Sequence, residues 1–281
     1  MNVGVGLPNS TAGLTRDLVI NWAKQADEGP FSSLGVFDRL VYDSYEPLTT
    51  LAAAAAVTKR IGLATTILIG PLRNTATLAK AAATVDALSD GRFTLGIAVG
   101  ARKVDYEVAK VDYSLRGKIV AEQLLELRQQ WEEGSIGPRS PKSQGPAVIV
   151  GGTSDIVFAR MARYADGYIH GGGPPRAFAR AADKARAAWT DAGRPGQPRL
   201  WAQGYYALGD QPTVRAGADY LRRYYAFTGP FAERIAEGLL TTPQAISQFI
   251  RGYEDAGCDE LILYPTISAQ TQLDRLAEVV G

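Results

Sequence analysis

Four short stretches of this sequence gather the groups able to do chemistry. Asp38 and Arg39 follow one apolar run, and Arg102 and Asp105 follow another. Gly151-Gly152-Thr153-Ser154 and His170-Gly171-Gly172-Gly173 follow two more. Two glycines and two hydroxyls at the start of a helix can hold a phosphate, because free backbone N–H groups and the positive helix terminus favour an anion. The same four residues also read as a tight turn whose Ser154 caps the helix. Gly171 and Gly172 let the backbone approach such a phosphate, or belong to a plain loop. Arg102 and Asp105 either contact a ligand or pair with each other under a loop. His170 is the single histidine. A lone histidine packs or hydrogen-bonds more often than it catalyses, and both readings of it stay open.

Other chemistries are poorly supplied. A metal site needs several imidazole, thiolate or carboxylate ligands, and these stretches offer Asp38, His170 and Asp105 alone. No metal is therefore expected. Opposed carboxylates for glycoside hydrolysis are missing. A Schiff-base lysine would sit on a strand, whereas Lys103 falls in a loop. Cys258 is the sole cysteine, which excludes an internal disulfide and fits a reducing, cytoplasmic setting. Thirty basic and 29 acidic residues leave a net charge of +1, which gives no electrostatic reason to bind nucleic acid or an anionic membrane. The first residues lack a signal-peptide pattern, and no apolar stretch reaches the ~18 residues of a membrane span.

The elements that must carry these groups alternate regularly. Apolar runs rich in β-branched and aromatic residues fall at 3–7, 34–37, 61–67, 93–99, 147–150, 167–169, 200–207 and 260–264. They lack polar alternation, as parallel strands buried on both faces do. Helical patterns lie between them. Pro47 suits a first turn, Asn74 or Thr75 a cap and Gly91 a helix end. Ser114 can open a long helix that ends at Gly134. Eight strands with alternating helices in 281 residues predict a single-domain (β/α)8 barrel over residues 1–281. A doubly wound sheet would want a glycine-rich turn after the first strand, and Leu7-Pro8-Asn9-Ser10 is not one. Two stretches, 134–146 and 222–240, exceed a single connection and are expected as insertions over the C-terminal face, where barrel active sites lie. Tyr224, Tyr225 and Phe227 in the second could form a lid, a subunit contact or the core of an extra helix. Strand ends rich in glycine, hydroxyls and apolar groups suit a pocket around a flat cofactor that does the difficult step.

Longer motifs sharpen this. Glu46-Pro47-Leu48 leads through an Ala-rich helix to Ile61-Gly62-Leu63-Ala64-Thr65-Thr66-Ile67, then Pro71-Leu72-Arg73-Asn74 and Gly91-Arg92-Phe93. Gly100-x-Arg102-x-x-Asp105-Tyr106-Glu107, Ile149-Val150-Gly151-Gly152, Ala165-Asp166-Gly167-Tyr168 and Ala256-Gly257-Cys258-Asp259-Glu260-Leu261 continue in order. Taken together, these residues resemble the bacterial luciferase-like family of flavin- and F420-dependent oxidoreductases, over nearly the whole chain.

The resemblance implies a (β/α)8 barrel that binds reduced FMN or F420 at its C-terminal face. It implies a non-proline cis peptide at Thr66–Ile67 behind the cofactor ring. It places Gly100, Gly151, Gly152, Thr153, Ser154, Gly171 and Gly172 against the cofactor, with the phosphate on 151–154. Asp38, Arg102 and His170 are the expected catalytic candidates. With FMN the reaction would be oxygenation of a small organic substrate, with F420 hydride transfer. A flavin or F420 reductase as partner and a homodimer are further implications. A non-catalytic flavin-binding barrel is the alternative, since the family includes such members. The sequence departs from the family pattern at three points. Arg39 stands where relatives often carry histidine, which puts imidazole proton transfer there in doubt. Ala101 replaces the glutamate of the sugar-phosphate dehydrogenases, so that oxidation is not implied. The reactive cysteine of bacterial luciferase is missing, so light emission is not implied either.

Overall fold

Strand β1 (Asn2–Gly6) opens the chain, and β2 (Ser33–Val36), β3 (Gly62–Thr65), β4 (Leu68–Ile69), β5 (Phe93–Ala98), β6 (Ala147–Gly151), β7 (Gly167–His170), β8 (Arg199–Tyr206) and β9 (Glu260–Pro265) follow. The computed structural model describes residues 1–139 and 145–281. All neighbouring strands pair in parallel, in the order β3-β2-β1-β9-β8-β7-β6-β5-β4, and β3 also pairs with β5. The sheet therefore closes on itself. Segments β3 and β4 share one position, which gives the eight of a (β/α)8 barrel. The single run expected over 61–67 is thus two segments. Its ladder stops at Thr65 and resumes at Leu68, with a cis Thr66–Ile67 bond between.

Two apolar layers hold the barrel. Outward-facing residues such as Leu34, Val36, Leu95, Val150 and Leu263 pack beneath the helices with Trp22, Leu51 and Phe178. Inward-facing Phe37, Ala64, Ile149, Ile169, Trp201, Tyr205, Ile262 and Tyr264 fill the interior. This inner and outer alternation follows from the two-residue period of a strand. Space for Tyr264 comes from glycine: a Cβ on Gly6 would lie 2.0 Å from its ring.

Most of the expected helix ends are found. Helix Pro47–Ala55 has proline in its first turn, and Asn74 caps Thr75–Leu88 by accepting from Thr77 N–H. Ser114 does not cap the long helix. That helix, Arg116–Glu133, begins after a short 3-10 turn, in which the Asp112 carboxylate accepts from the N–H and the hydroxyl of Ser114. The long helix itself continues from that turn, with Leu115 at its N-cap position and no side-chain cap. Of the expected insertion at 134–146, residues 140–144 lie outside the described residues. The other, at 222–240, finishes helix Gln211–Tyr224, adds a 3-10 turn at Ala226–Thr228 and helix Phe231–Glu237, and returns as a bridge from Leu240 to Tyr206. It is thereby fixed to the C-terminal end of β8.

Candidate active site at the barrel mouth

The C-terminal end of the third barrel position is built from both sides. Phe37, at the end of β2, stacks on Tyr264 with ring centroids 3.8 Å apart. The Tyr264 hydroxyl pairs with the hydroxyl of Thr66, next to the cis peptide. Ile67 projects toward β6, where a Cβ on Gly151 would lie 2.0 Å from its Cδ1. A side chain at 151 would require the end of Ile67 to move aside. Thr66, Ile67 and Gly151 thus meet at one edge of the mouth.

Asp38 is fully committed. Its Oδ2 accepts from Ile69 N–H at 2.8 Å and from Arg73 Nη1 at 2.6 Å, and its Oδ1 from Arg73 Nη2 at 3.2 Å. Arg73 reaches on to Glu46. Burial raises the Asp38 carboxyl pKa, against the pull of the Arg73 guanidinium. The carboxylate ties the end of β2 to the segment beyond the cis bond, and so it positions backbone. Gly100, at φ +66°, packs close beside Ile69 on the same rim.

Arg102 and Asp105 pair at 3.2 Å, and Asp105 is wholly buried. Asp105 also accepts from Val41 N–H, and Arg102 donates to Val41 C=O, so the pair pins the loop after β2. Burial lowers the Arg102 pKa, and the neighbouring charge of Arg39 lowers it further. The Arg39 guanidinium lies against the rings of Tyr42 and Tyr224, 4.2 Å from each centroid. Tyr224 and Tyr225 form part of a packed cluster with Phe37, Tyr205 and Tyr264. Of the three readings of the insertion, packing over the mouth describes buried Tyr224 and partly buried Tyr225, while Phe227 stays exposed.

Across the mouth, residues 151–154 lead into helix Asp155–Tyr164. Ser154 occupies the cap position but makes no capping hydrogen bond, so its hydroxyl is not used as a plain cap would use it. Thr153 and Ser154 are exposed. Gly152 has φ +141°, and the Tyr168 hydroxyl donates to its carbonyl at 2.8 Å. The adjacent loop after β7 is equally open: nothing stands within 4 Å of a Cβ built on Gly171 or Gly173. Gln203 donates to Gly171 C=O at 3.4 Å, and its Oε1 is buried without a partner. His170 Nδ1 is buried and unpartnered as well. The His170 ring stands edge-on to Phe178, on the helix-facing side of β7, and burial lowers its pKa.

The catalytic candidates do not form one cluster. Asp38 and Arg102 share the rim near β2 and β5, while His170 stands on β7, opposite β2 in the strand order. Gln203 and Tyr264 escaped the sequence reading as site residues, and Arg39 entered it only beside Asp38 and as a departure from the family pattern. Gln203 had a signal, because it falls between inward-facing Trp201 and Tyr205 and so places an amide inside an apolar barrel. Among the described residues no group of three or more His, Cys, Asp or Glu could hold a metal ion. Cys258 lies at the opposite end of the barrel, before β9, with its thiol pushed up to about 12 by burial.

A closed parallel barrel with a glycine cradle and a cis bond at its mouth invites comparison with known proteins. The model of the luciferase-like monooxygenases matches residues 2–264. The chain belongs to the luciferase-like monooxygenase family. Pyrimidine monooxygenase RutA of Methylobacterium radiotolerans is 34% identical over 172 residues, which covers 53% of this chain and 44% of RutA. An uncharacterised protein of Mycobacterium tuberculosis is 30% identical over 188 residues, 54% of this chain and 65% of that protein. The alignments thus span from under half to just under two thirds of these relatives. In three dimensions the barrel superposes on an F420-dependent secondary alcohol dehydrogenase holding an F420-acetone adduct (TM-score 0.79, 16% identity, 99% of this chain and 97% of that one). It also superposes on the oxygenating constituent of a Pseudomonas putida type II Baeyer-Villiger monooxygenase in complex with FMN (TM-score 0.72, 16% identity, 94% and 91%). At such identities the likeness is one of fold.

The residues present fit a phosphate-bearing cofactor. The 151–154 turn offers free hydroxyls and a helix start, and the loop at 171–173 is open where a backbone could meet a ligand. Two orphaned buried polar atoms, on His170 and Gln203, flank that loop. A buried polar atom without a protein partner is costly; the acceptor Gln203 Oε1 would be met by a hydroxyl of such a cofactor or by water, and not by its phosphate oxygens.

Proposed function

We propose that this luciferase-like protein is a cytoplasmic, single-domain oxidoreductase binding reduced FMN or F420 over the C-terminal face of its barrel, acting on a small organic substrate. The observation that carries the reading is the open glycine cradle at 151–154 and 171–173, flanked by the unpartnered Gln203 Oε1 and His170 Nδ1. Gly151, Gly152, Thr153, Ser154, Gly171 and Gly172 would hold the phosphate. Thr66, Ile67 and Gly100 line the rim on which the ring would rest. When bound, the cofactor supplies a two-electron transfer, as hydride from F420 or as reducing equivalents for O2 from FMN.

The chain's own residues bind, orient and exclude water. Phe37, Ile67 and Tyr264 offer an apolar wall, and the Tyr264–Thr66 hydroxyl pair keeps a polar edge within it. Asp38 and Asp105 anchor the backbone of that rim through Ile69 and Val41. His170, with its pKa lowered by burial, is neutral near pH 7 and presents Nδ1 as a bonding group. A reductase that recharges FMN or F420 and a homodimer packed through Ala-rich helices Pro47–Ala55 and Thr75–Leu88 complete the proposal. A monomeric mass in light scattering would remove the dimer.

The deciding experiment is a tryptophan-quenching titration of the apoprotein with FMN and, separately, with F420. Tight F420 and weak FMN binding assigns hydride transfer to carbonyls, enones or imines. The reverse assigns oxygenation fed by a flavin reductase. Binding of neither overturns the phosphate cradle. A second reading, a flavin-binding barrel without turnover, draws on the packed rings of Tyr205, Tyr224, Tyr225 and Tyr264 at the mouth. Reductant-linked substrate consumption by the loaded protein eliminates it.

A further inference from the structure

Arg39 has a bonding pattern that folding alone does not explain. Its side chain is buried, with the whole residue 9% exposed, yet among the described residues no carboxylate pairs with it. The two buried acids nearest in the rim are committed elsewhere: Asp38 to Arg73 and Ile69 N–H, Asp105 to Arg102 and Val41 N–H. Arg39 Nη1 donates to Tyr224 C=O at 2.6 Å, while Nε is buried with no partner. The rings of Tyr42 and Tyr224, at 81° to each other, both approach its charge at 4.2 Å, and Phe227 stands 5.9 Å away. The neighbouring charge is another cation: Arg102 lies 5.6 Å from the same Phe227 ring. A buried charge normally comes paired. Here two guanidiniums share an aromatic wall and only Arg102 has an acid.

We propose that Arg39, with Arg102 beside it, recognises an anionic oxygen on the substrate, and specifically the carboxylate of a flat, conjugated molecule. A planar guanidinium with free N–H groups matches a carboxylate in geometry and charge. Half-buried Tyr42 and exposed Phe227 beside it match a flat carbon frame. Arg39 follows β2, which lies opposite β7 in the closed sheet, so the anion it receives is distinct from a phosphate held at 151–154 and 171–173. Phe227, 44% exposed on its 3-10 turn, is the ring a substrate would meet first. The inference rests on the cofactor reading for which rim is which. The binding test is therefore run without cofactor, so that the two can fail separately.

The probes are benzoate and its neutral isostere benzamide, titrated calorimetrically into the apoprotein. Benzoate should bind at least about tenfold more tightly, the size of one charge-assisted hydrogen bond. Arg39→Gln should abolish that preference and Arg39→Lys should keep part of it, while FMN and F420 affinities stay within about twofold of wild type. Equal binding of the two probes by the wild-type protein overturns the proposal without any variant. A benzoate preference that survives in Arg39→Gln overturns it too. If inorganic phosphate competes at Arg39, and Arg39→Gln weakens FMN or F420 while leaving benzoate untouched, the anion is the cofactor's phosphate and the substrate assignment is lost.

Discussion

Replacing Gly171 by valine separates a ligand-binding role from a structural one. The position has no need of a glycine for folding: a Cβ there meets nothing within 4 Å, and the backbone lies outside the positive-φ region. The neighbouring Gly172, at φ +101°, lacks that freedom. An exposed substitution without a clash changes stability by about 0.5 kcal/mol or less, and removing a glycine tends to stabilise through the unfolded chain. The thermal midpoint should therefore hold to within about 2 °C. Cofactor binding should not hold. A valine fills the space through which a phosphate oxygen would reach the loop, and losing one charge-assisted hydrogen bond costs about 1.5–3 kcal/mol. That converts to roughly a 10- to 150-fold rise in Kd. Tryptophan quenching with whichever of FMN or F420 binds the wild-type protein measures it, with a thermal melt on the same preparation. An unchanged Kd in a folded Gly171→Val variant would refute the cradle at this loop.

Three further outcomes follow from the geometry. Gly96→Ala sets a Cβ 2.0 Å from the Thr65 carbonyl oxygen, where neither neighbour is a flexible side-chain end. It should cost at least about 1–3 kcal/mol, seen as a lower denaturant midpoint, and a wild-type midpoint would mean that β3 and β5 are less tightly apposed than described. Acidification should destabilise the protein through His170. Its folded pKa lies below the ordinary 6.5, so the unfolded chain binds more protons and stability falls as pH drops through 6.5 toward the folded value, by at most about 1.4 kcal/mol per pH unit. With one histidine in the chain, a single imidazole NMR titration reports the folded value, and a midpoint at or above 6.5 contradicts its burial. Asp38→Asn removes the charge from a clasp in which Arg73 keeps Glu46, so the cost should be about 2 kcal/mol in place of the 3–5 of an isolated buried pair. A denaturant midpoint matching wild type would mean that Asp38 does not anchor the rim.

Much of the architecture was legible in residue order. Parallel strands buried on both faces show as apolar runs, and their alternation with capped helices admits few topologies, so the barrel and nearly all its strand positions could be read from local pattern. The placing of Gly151-Gly152-Thr153-Ser154 at a strand end before a helix was legible for a similar reason, because that turn is a local motif. The split of the third strand between Thr65 and Leu68 had no signal in local pattern, since its residues read as one apolar run and only the family resemblance pointed to a cis bond there. What could not be read is every partnership across the barrel. Asp38 was expected as a catalytic candidate, and its place in a clasp came from Arg73, 35 residues on, which folds back beside it. Arg102 and Asp105 admitted two readings, and only the fold showed that they pair with each other against Val41. His170 is turned outward by the two-residue period of β7, away from Asp38 and Arg102. Arg39 gained its character only when the 222–240 insertion laid Tyr224 against it and left the charge without an acid. A residue's type follows from sequence, but whether its charge is met depends on neighbours far along the chain, and closure of the barrel chooses those neighbours.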